Sequence, residues 1–179
     1  MSRTYLALAD AFNPAQCDAL VALGAAAPDA AGPVWTAAAY GIDPEARDVR
    51  STLHERESET AWLFDRLDML FARAAEAFGL AVGPIAEPVQ ILRYGEGCHF
   101  GRWHSDAGLD RHESRKVSVS VELSDPGDYQ GGLLEIVPDT VARPRTLPRG
   151  GGHFFPSRAL HRVGPVTAGV RWSLVAWTG

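Results

Sequence analysis

Apolar residues recur at helical spacing in two stretches of this chain and at strand spacing in several more. Asn13-Pro14 opens the first stretch, a capping side chain followed by a proline with no N–H to lose, and Cys17, Leu20, Val21 and Leu23 then share one face to about Gly24. The second runs from a Ser58 cap through Leu63, Leu67, Leu70, Phe71, Ala74 and Phe78 until Gly79 stops it. Between them, residues 25–56 carry Ala, Pro, Gly and isolated charges with weak periodicity, which predicts an irregular segment with one strand around Val34–Ala39.

After Pro84 the texture changes to short apolar or alternating runs, each bounded by Gly, Pro or Asp: PVQILRY, KVSVSVEL, LLEIV, HFFPS and VRWSLVAW. KVSVSVEL alternates with period two, as a half-buried strand does, and the close punctuation argues against βαβ units. Gly131-Gly132 reads as a turn ending a hairpin. The expected fold is mostly β (α+β): an antiparallel sandwich or barrel with the two helices packed on its outside. The 179 residues, 46% hydrophobic, suit a single domain over 1–179, with 1–83 as helical support and 84–179 as the β core.

Charge narrows the function. A formal net charge of −5 lacks the basic excess that phosphate neutralisation demands, so nucleic acid is an unexpected partner. No apolar run approaches a bilayer span, and the N-terminal apolar stretch, broken by Asp10, is too short for a signal peptide, so a cytoplasmic location is expected. Cys17 and Cys98 would then stay as thiols. Gly150 to Gly152 lacks the strand-to-helix context of a phosphate cradle.

The chemistry concentrates in YGEGCHFGRWHSDAG. On an extended segment, residues i and i+2 point to one side, so His104 and Asp106 can present an imidazole nitrogen and a carboxylate oxygen to one point. A second histidine would complete the two-histidine, one-carboxylate facial triad, which leaves the opposite face of a ferrous ion open. His54, His99, His112, His153 and His161 are available. His161 stands out, because the strand that follows it bears Arg171, and an arginine in so apolar a run calls for an anion.

HSD, DYQGGLLEI and FFPSRALHRVGPVTAGVRWSLVAW together closely resemble the iron(II)- and 2-oxoglutarate-dependent oxygenases of the prolyl 4-hydroxylase type, particularly their small bacterial members. The resemblance covers about residues 88–178 and implies a double-stranded β-helix of the jelly-roll (cupin-like) type. It implies that His104, Asp106 and His161 hold Fe(II), that Arg171 pairs with the distal carboxylate of 2-oxoglutarate, and that Tyr94 contacts the same cosubstrate. Dioxygen would be consumed, ascorbate could support turnover, and succinate and carbon dioxide would leave as an unactivated C–H bond is hydroxylated. A carboxylate at Asp106 favours hydroxylation over halogenation, since halogenating relatives carry a small residue there. The second tyrosine that some relatives place on the KVSVSVEL strand is missing here, and Ser118 or Ser120 could substitute.

Trp103, His99 and Arg102 are expected around the substrate pocket, with Arg111 as a further attractor of acids, and Trp177 is expected in the core. A salt bridge from Arg171 to Glu122 or Glu135 is the competing reading of that arginine. The expected substrate is a free amino acid, a peptidyl (prolyl-type) residue or a related small molecule, read by loops at 25–56, 107–115 and 139–143. The alternatives are a nucleic-acid demethylase of the same superfamily and a non-catalytic metal- or ligand-binding β-barrel.

Overall fold

The computed structural model describes residues 3–28, 30–35, 40–108, 114–137 and 143–179. His112, Arg111 and the loop tip at 139–142 lie outside the described residues, as does the 36–39 part of the strand expected at Val34–Ala39.

The chain begins with β1 (Leu6–Leu8), α1 (Pro14–Ala26), β2 (Ala30–Ala31), β3 (Val34–Trp35), β4 (Tyr40–Gly41), β5 (Arg50–His54) and α2 (Ala61–Phe78). It continues with β6 (Val89–Tyr94), β7 (Phe100–His104), β8 (Val117–Glu122), β9 (Tyr129–Gly131), β10 (Leu134–Ile136), β11 (Arg143–Arg145), β12 (Gly152–Pro156), β13 (His161–Val163), β14 (Val166–Gly169) and β15 (Arg171–Thr178). Two antiparallel sheets form the body, one ordered β1-β12-β8-β15-β6-β5-β2 and the other β11-β10-β13-β7. Their inner faces meet in a cluster that joins Leu92, Tyr94 and Phe155 of the large sheet to Leu134, Ile136 and Val163 of the small one. No helix among the described residues is long and apolar enough to cross a membrane.

Local chemistry explains the helix ends. Asn13 and Gln16 cap α1 reciprocally, each side chain accepting the other's backbone N–H at 2.9 Å. The second helix starts two residues later than a Ser58 cap implies. Residues 58–60 form a turn, and the Thr60 hydroxyl is engaged there, donating to the Glu55 carbonyl at 2.6 Å. Gly79, at φ 70°, closes α2 in the left-handed conformation.

The segment 25–56 is more ordered than its composition suggests, since β5 pairs along its length with β6 and β2 extends the sheet beyond it. Propensity is weak there, and β6 supplies the hydrogen-bonding edge instead.

Period-two alternation decides what the sheet offers to each side. Val117, Val119 and Val121 of β8, Leu174 and Ala176 of β15, and Val89 and Ile91 of β6 pack in one core with Leu20, Leu67 and Phe71 of the helices. The opposite parity of the same strands, Glu122, Arg171 and Tyr94 among them, faces the small sheet. The half-buried expectation for KVSVSVEL is corrected accordingly: all six residues of β8 are buried, because β8 lies between β12 and β15 under the helices.

Gly131-Gly132 is no hairpin end. Tyr129–Gly131 pairs with β14 whereas Leu134 pairs with β11 and β13, so the glycines carry the chain from one sheet to another. Gly131 has φ 74°, and a Cβ there would sit 2.3 Å from the Pro165 carbonyl oxygen. Gly131→Ala is therefore expected to cost about 2 kcal/mol or more, read as a lowered midpoint in a urea melt.

Candidate metal centre and cavity

His161, the first residue of β13, is the register partner of His104, the last residue of β7. Asp106 lies just beyond β7, where its own N–H and that of Ala107 both donate to the Ser157 carbonyl, at 2.9 and 3.0 Å. One ligand atom from each of His104, Asp106 and His161 falls within 4.8 Å of the others.

The orientation of both rings follows from their partners. His104 Nδ1 lies 2.9 Å from the Arg102 carbonyl and His161 Nδ1 lies 3.1 Å from the Ala159 carbonyl. A carbonyl only accepts, so both Nδ1 atoms carry the proton and both Nε2 atoms keep a lone pair. Phe100 stacks on the His104 ring at 3.7 Å between centroids, and Phe155 tilts against His161 at 4.8 Å.

Burial, reinforced by the neighbouring His161, pushes His104 down to about 3, which keeps it an unprotonated donor at neutral pH. Burial alone would raise Asp106, yet its carboxyl is held below the usual range by His161, His104 and the side chains of Ser118 and Trp177. Two imidazoles whose Nδ1 atoms are engaged by carbonyls, together with a carboxylate, present the donor set of a divalent transition metal with an open face.

A cavity of about 200 Å³ adjoins the three, lined among others by Tyr94, Ser120, Phe155, Arg171 and Trp177. Trp177, expected in the core, is buried and also forms cavity wall, with the Arg115 guanidinium 3.9 Å over its ring. Tyr94 is 1% exposed and is the register partner of Arg171, whose guanidinium carbon lies 5.4 Å from the tyrosine ring centroid.

Arg171 is paired inside the protein. Its Nε and Nη2 donate to the two carboxylate oxygens of Glu122 at 3.1 and 2.8 Å, while Nη1 is buried and, among the described residues, has no hydrogen-bond partner. The salt bridge weighed as the competing reading therefore exists, buried and not exposed, and it leaves one nitrogen for a ligand. On the far side of Glu122, His153 Nε2 lies 3.3 Å from Oε1, and His153 Nδ1 is 2.8 Å from the Tyr5 hydroxyl.

Although burial would raise it, Glu122 is held at about 2, against an ordinary 4.5, by Arg171 and His153. A depressed carboxylate stabilises the fold above its unfolded pKa and loses that contribution as pH falls toward its folded one. Acid titration of stability should thus show a loss on the order of 3 kcal/mol between about pH 5 and pH 2 that Glu122→Gln removes.

Other expected site residues lie elsewhere. Trp103, His99 and Arg102 are not among the residues lining the cavity. Trp103 is adjacent in its strand to His104 and so points to the other face, where Arg162 covers its ring at 4.6 Å. The His99 Nδ1 accepts the Gly101 N–H at 3.0 Å, and Arg102 is exposed. His54 pairs with Thr52 on β5, at 2.8 Å.

The cavity instead takes Arg47, Gln90, Phe100 and Arg115 as walls, none of which sequence reasoning named. Phe100 and Gln90 share strand parity with His104 and Tyr94, a signal that was available; Arg47 sits in an aperiodic segment that gave none.

The family model for the 2OG-Fe(II) oxygenase superfamily matches residues 89–179. A PKHD-type hydroxylase of a Synechococcus strain is 36% identical over 104 residues, which cover 56% of this chain and 46% of that protein. This chain spans about half the length of the curated relatives it matches. Among solved structures, a Pseudomonas putida prolyl-4-hydroxylase superposes with a TM-score of 0.77 at 18% identity, covering 98% of this chain and 92% of the other. A Trichoplax adhaerens prolyl hydroxylase in complex with a hypoxia inducible factor peptide fragment gives 0.76 at 17%, covering 98% and 83%. Both show the same double-stranded β-helix fold.

Proposed function

We propose, from the premise that this chain belongs to the 2OG-Fe(II) oxygenase superfamily, that it is a dioxygenase hydroxylating an unactivated C–H bond of an amino-acid-like or peptidyl substrate. The observation that carries this reading is the convergence of His104, Asp106 and His161 beside a cavity that also holds Arg171. The prolyl hydroxylases of like fold support a substrate of amino-acid or peptide character.

When bound, Fe(II) with 2-oxoglutarate and dioxygen supplies the oxidising chemistry, yielding succinate and carbon dioxide. The three side chains would occupy one face of the ion, and Asp106 would offset one of its charges. The Arg102 and Ala159 carbonyls hold the imidazoles in the tautomer that leaves Nε2 to the metal. Arg171 would take the far carboxylate through Nη1, and Glu122, engaging Nε and Nη2, keeps that guanidinium from turning away. Leu92, Leu134 and Val163 line the cavity with apolar surface that limits water.

Iron-loaded protein supplied with 2-oxoglutarate, ascorbate and air should release succinate, with stimulation by a member of an amino-acid and peptide panel. No succinate from fully iron-loaded protein across that panel would leave a metal-binding barrel without catalysis.

A further inference from the structure

Three arginines line the cavity, and two have carboxylate partners: Arg171 has Glu122 and Arg115 has Glu87. Arg47 is 8% exposed and, among the described residues, has none. Its Nη1 donates to the Pro33 carbonyl at 2.8 Å and its Nη2 to Gln90 Oε1 at 3.2 Å, both neutral acceptors, and its buried Nε has no partner among the described residues. Asp106 acts on it across space, but among the described residues no carboxylate makes an ion pair with it. A buried guanidinium held only by neutral acceptors is costly, and an anion entering the cavity would relieve that cost.

The group is also held in place. A Cβ on Gly32 would fall 2.8 Å from Arg47 Cζ and Nε, so the glycine makes room for the guanidinium to lie flat. On the Phe100 side, Cζ is 4.8 Å from the centroid of the ring that stacks on His104. Arg47 thus sits next to the candidate metal centre through a single aromatic ring.

The cosubstrate does not account for it. Gln90, which Arg47 grips, and Tyr94, the register partner of Arg171, stand at opposite ends of β6. They are four positions apart along the strand, on the order of 13 Å. A five-carbon diacid chelating at the triad with its far end on Arg171 has no third carboxylate for Arg47.

We propose that Arg47 anchors the carboxylate of the primary substrate, which makes that substrate a small free acid of the amino-acid type and not an internal residue of a peptide. The proposal deepens the oxygenase reading and rests on it for the chemistry, not for the binding. The guanidinium contributes Nε and its remaining N–H groups to the carboxylate, with the Phe100 ring beside it.

The test is calorimetric titration of Mn(II)-loaded protein, saturated with 2-oxoglutarate, with the free L-amino acids and with their carboxamides. At least one acid should bind about 30-fold more tightly than its amide, the difference expected of hydrogen bonds between charged groups. Arg47→Met should reduce that preference to within about threefold while 2-oxoglutarate affinity stays within about threefold of wild type. Should Arg47→Met not fold by circular dichroism, Arg47→Lys carries the test, with a preference lowered at least about fivefold because the charge stays and the planar donor set goes.

Amides binding as tightly as acids, or no acid binding at all, would overturn the proposal. So would an Arg47→Met protein that loses 2-oxoglutarate as completely as Arg171→Met, since Arg47 would then serve the cosubstrate. Wild-type protein that fails to bind 2-oxoglutarate would instead sink the oxygenase reading, and the acid-over-amide comparison would still be read in metal-loaded protein without it.

Discussion

Asp106→Ala and His161→Ala are each expected to abolish succinate release and to weaken Mn(II) binding by more than about a hundredfold. Partners that merely orient a metal ligand are worth 10–100-fold, and a direct ligand is worth at least that much. His161 is buried and Asp106 largely so, and each contributes one of the three converging ligand atoms. Trp103→Ala serves as the contrast. It truncates a ring adjacent in sequence to His104 but turned away under Arg162, so turnover should stay within a few-fold of wild type. Metal affinity and succinate release together separate the proposals. A silent barrel would lose metal binding on Asp106→Ala but have no turnover to lose, whereas the oxygenase loses both. A wild-type rate in Asp106→Ala would refute the triad.

How the site was legible depends on which signals reach the sequence. His104 and Asp106 lie two apart at a strand end, which spacing alone could pair, whereas the choice of His161 and Arg171 to join them came from the resemblance of the strands and turns around them to the oxygenase pattern. The alternation of KVSVSVEL also announced two unlike faces. It did not announce that the polar face is inside: Ser118, Ser120 and Glu122 are buried in a barrel, where a solvent-facing strand would carry the same pattern. Period two tells the faces apart and leaves the location of water to the tertiary fold. Trp103 illustrates the same limit from the other side. Adjacency to the candidate ligand His104 suggested a pocket wall, yet a pleated strand sends neighbours to opposite faces. Arg47 was invisible for a different reason: it lies in a turn closed on the Asp43 carbonyl and fits against Gly32's missing side chain, and neither leaves a periodic mark.

Glu122→Leu and Arg171→Met, made singly, are each expected to cost about 3–5 kcal/mol, since either leaves an uncompensated charge in the barrel. Made together they should recover most of that loss and approach wild-type stability, because two desolvated ions are replaced by apolar groups of similar volume on one inner face. Function should not recover: the double variant lacks the guanidinium proposed for the distal carboxylate, and 2-oxoglutarate binding should be undetectable in it although Mn(II) still binds. Urea melts on all four proteins give the coupling energy, and calorimetry with 2-oxoglutarate gives the binding. Additive losses in the double variant would mean that Glu122 stabilises the fold through His153 and Tyr5 more than through Arg171. The contrast between restored stability and absent binding is what distinguishes a charge pair kept for its ligand from one kept for the fold, since a buried pair that hydrophobic residues could replace has no stability reason to be there.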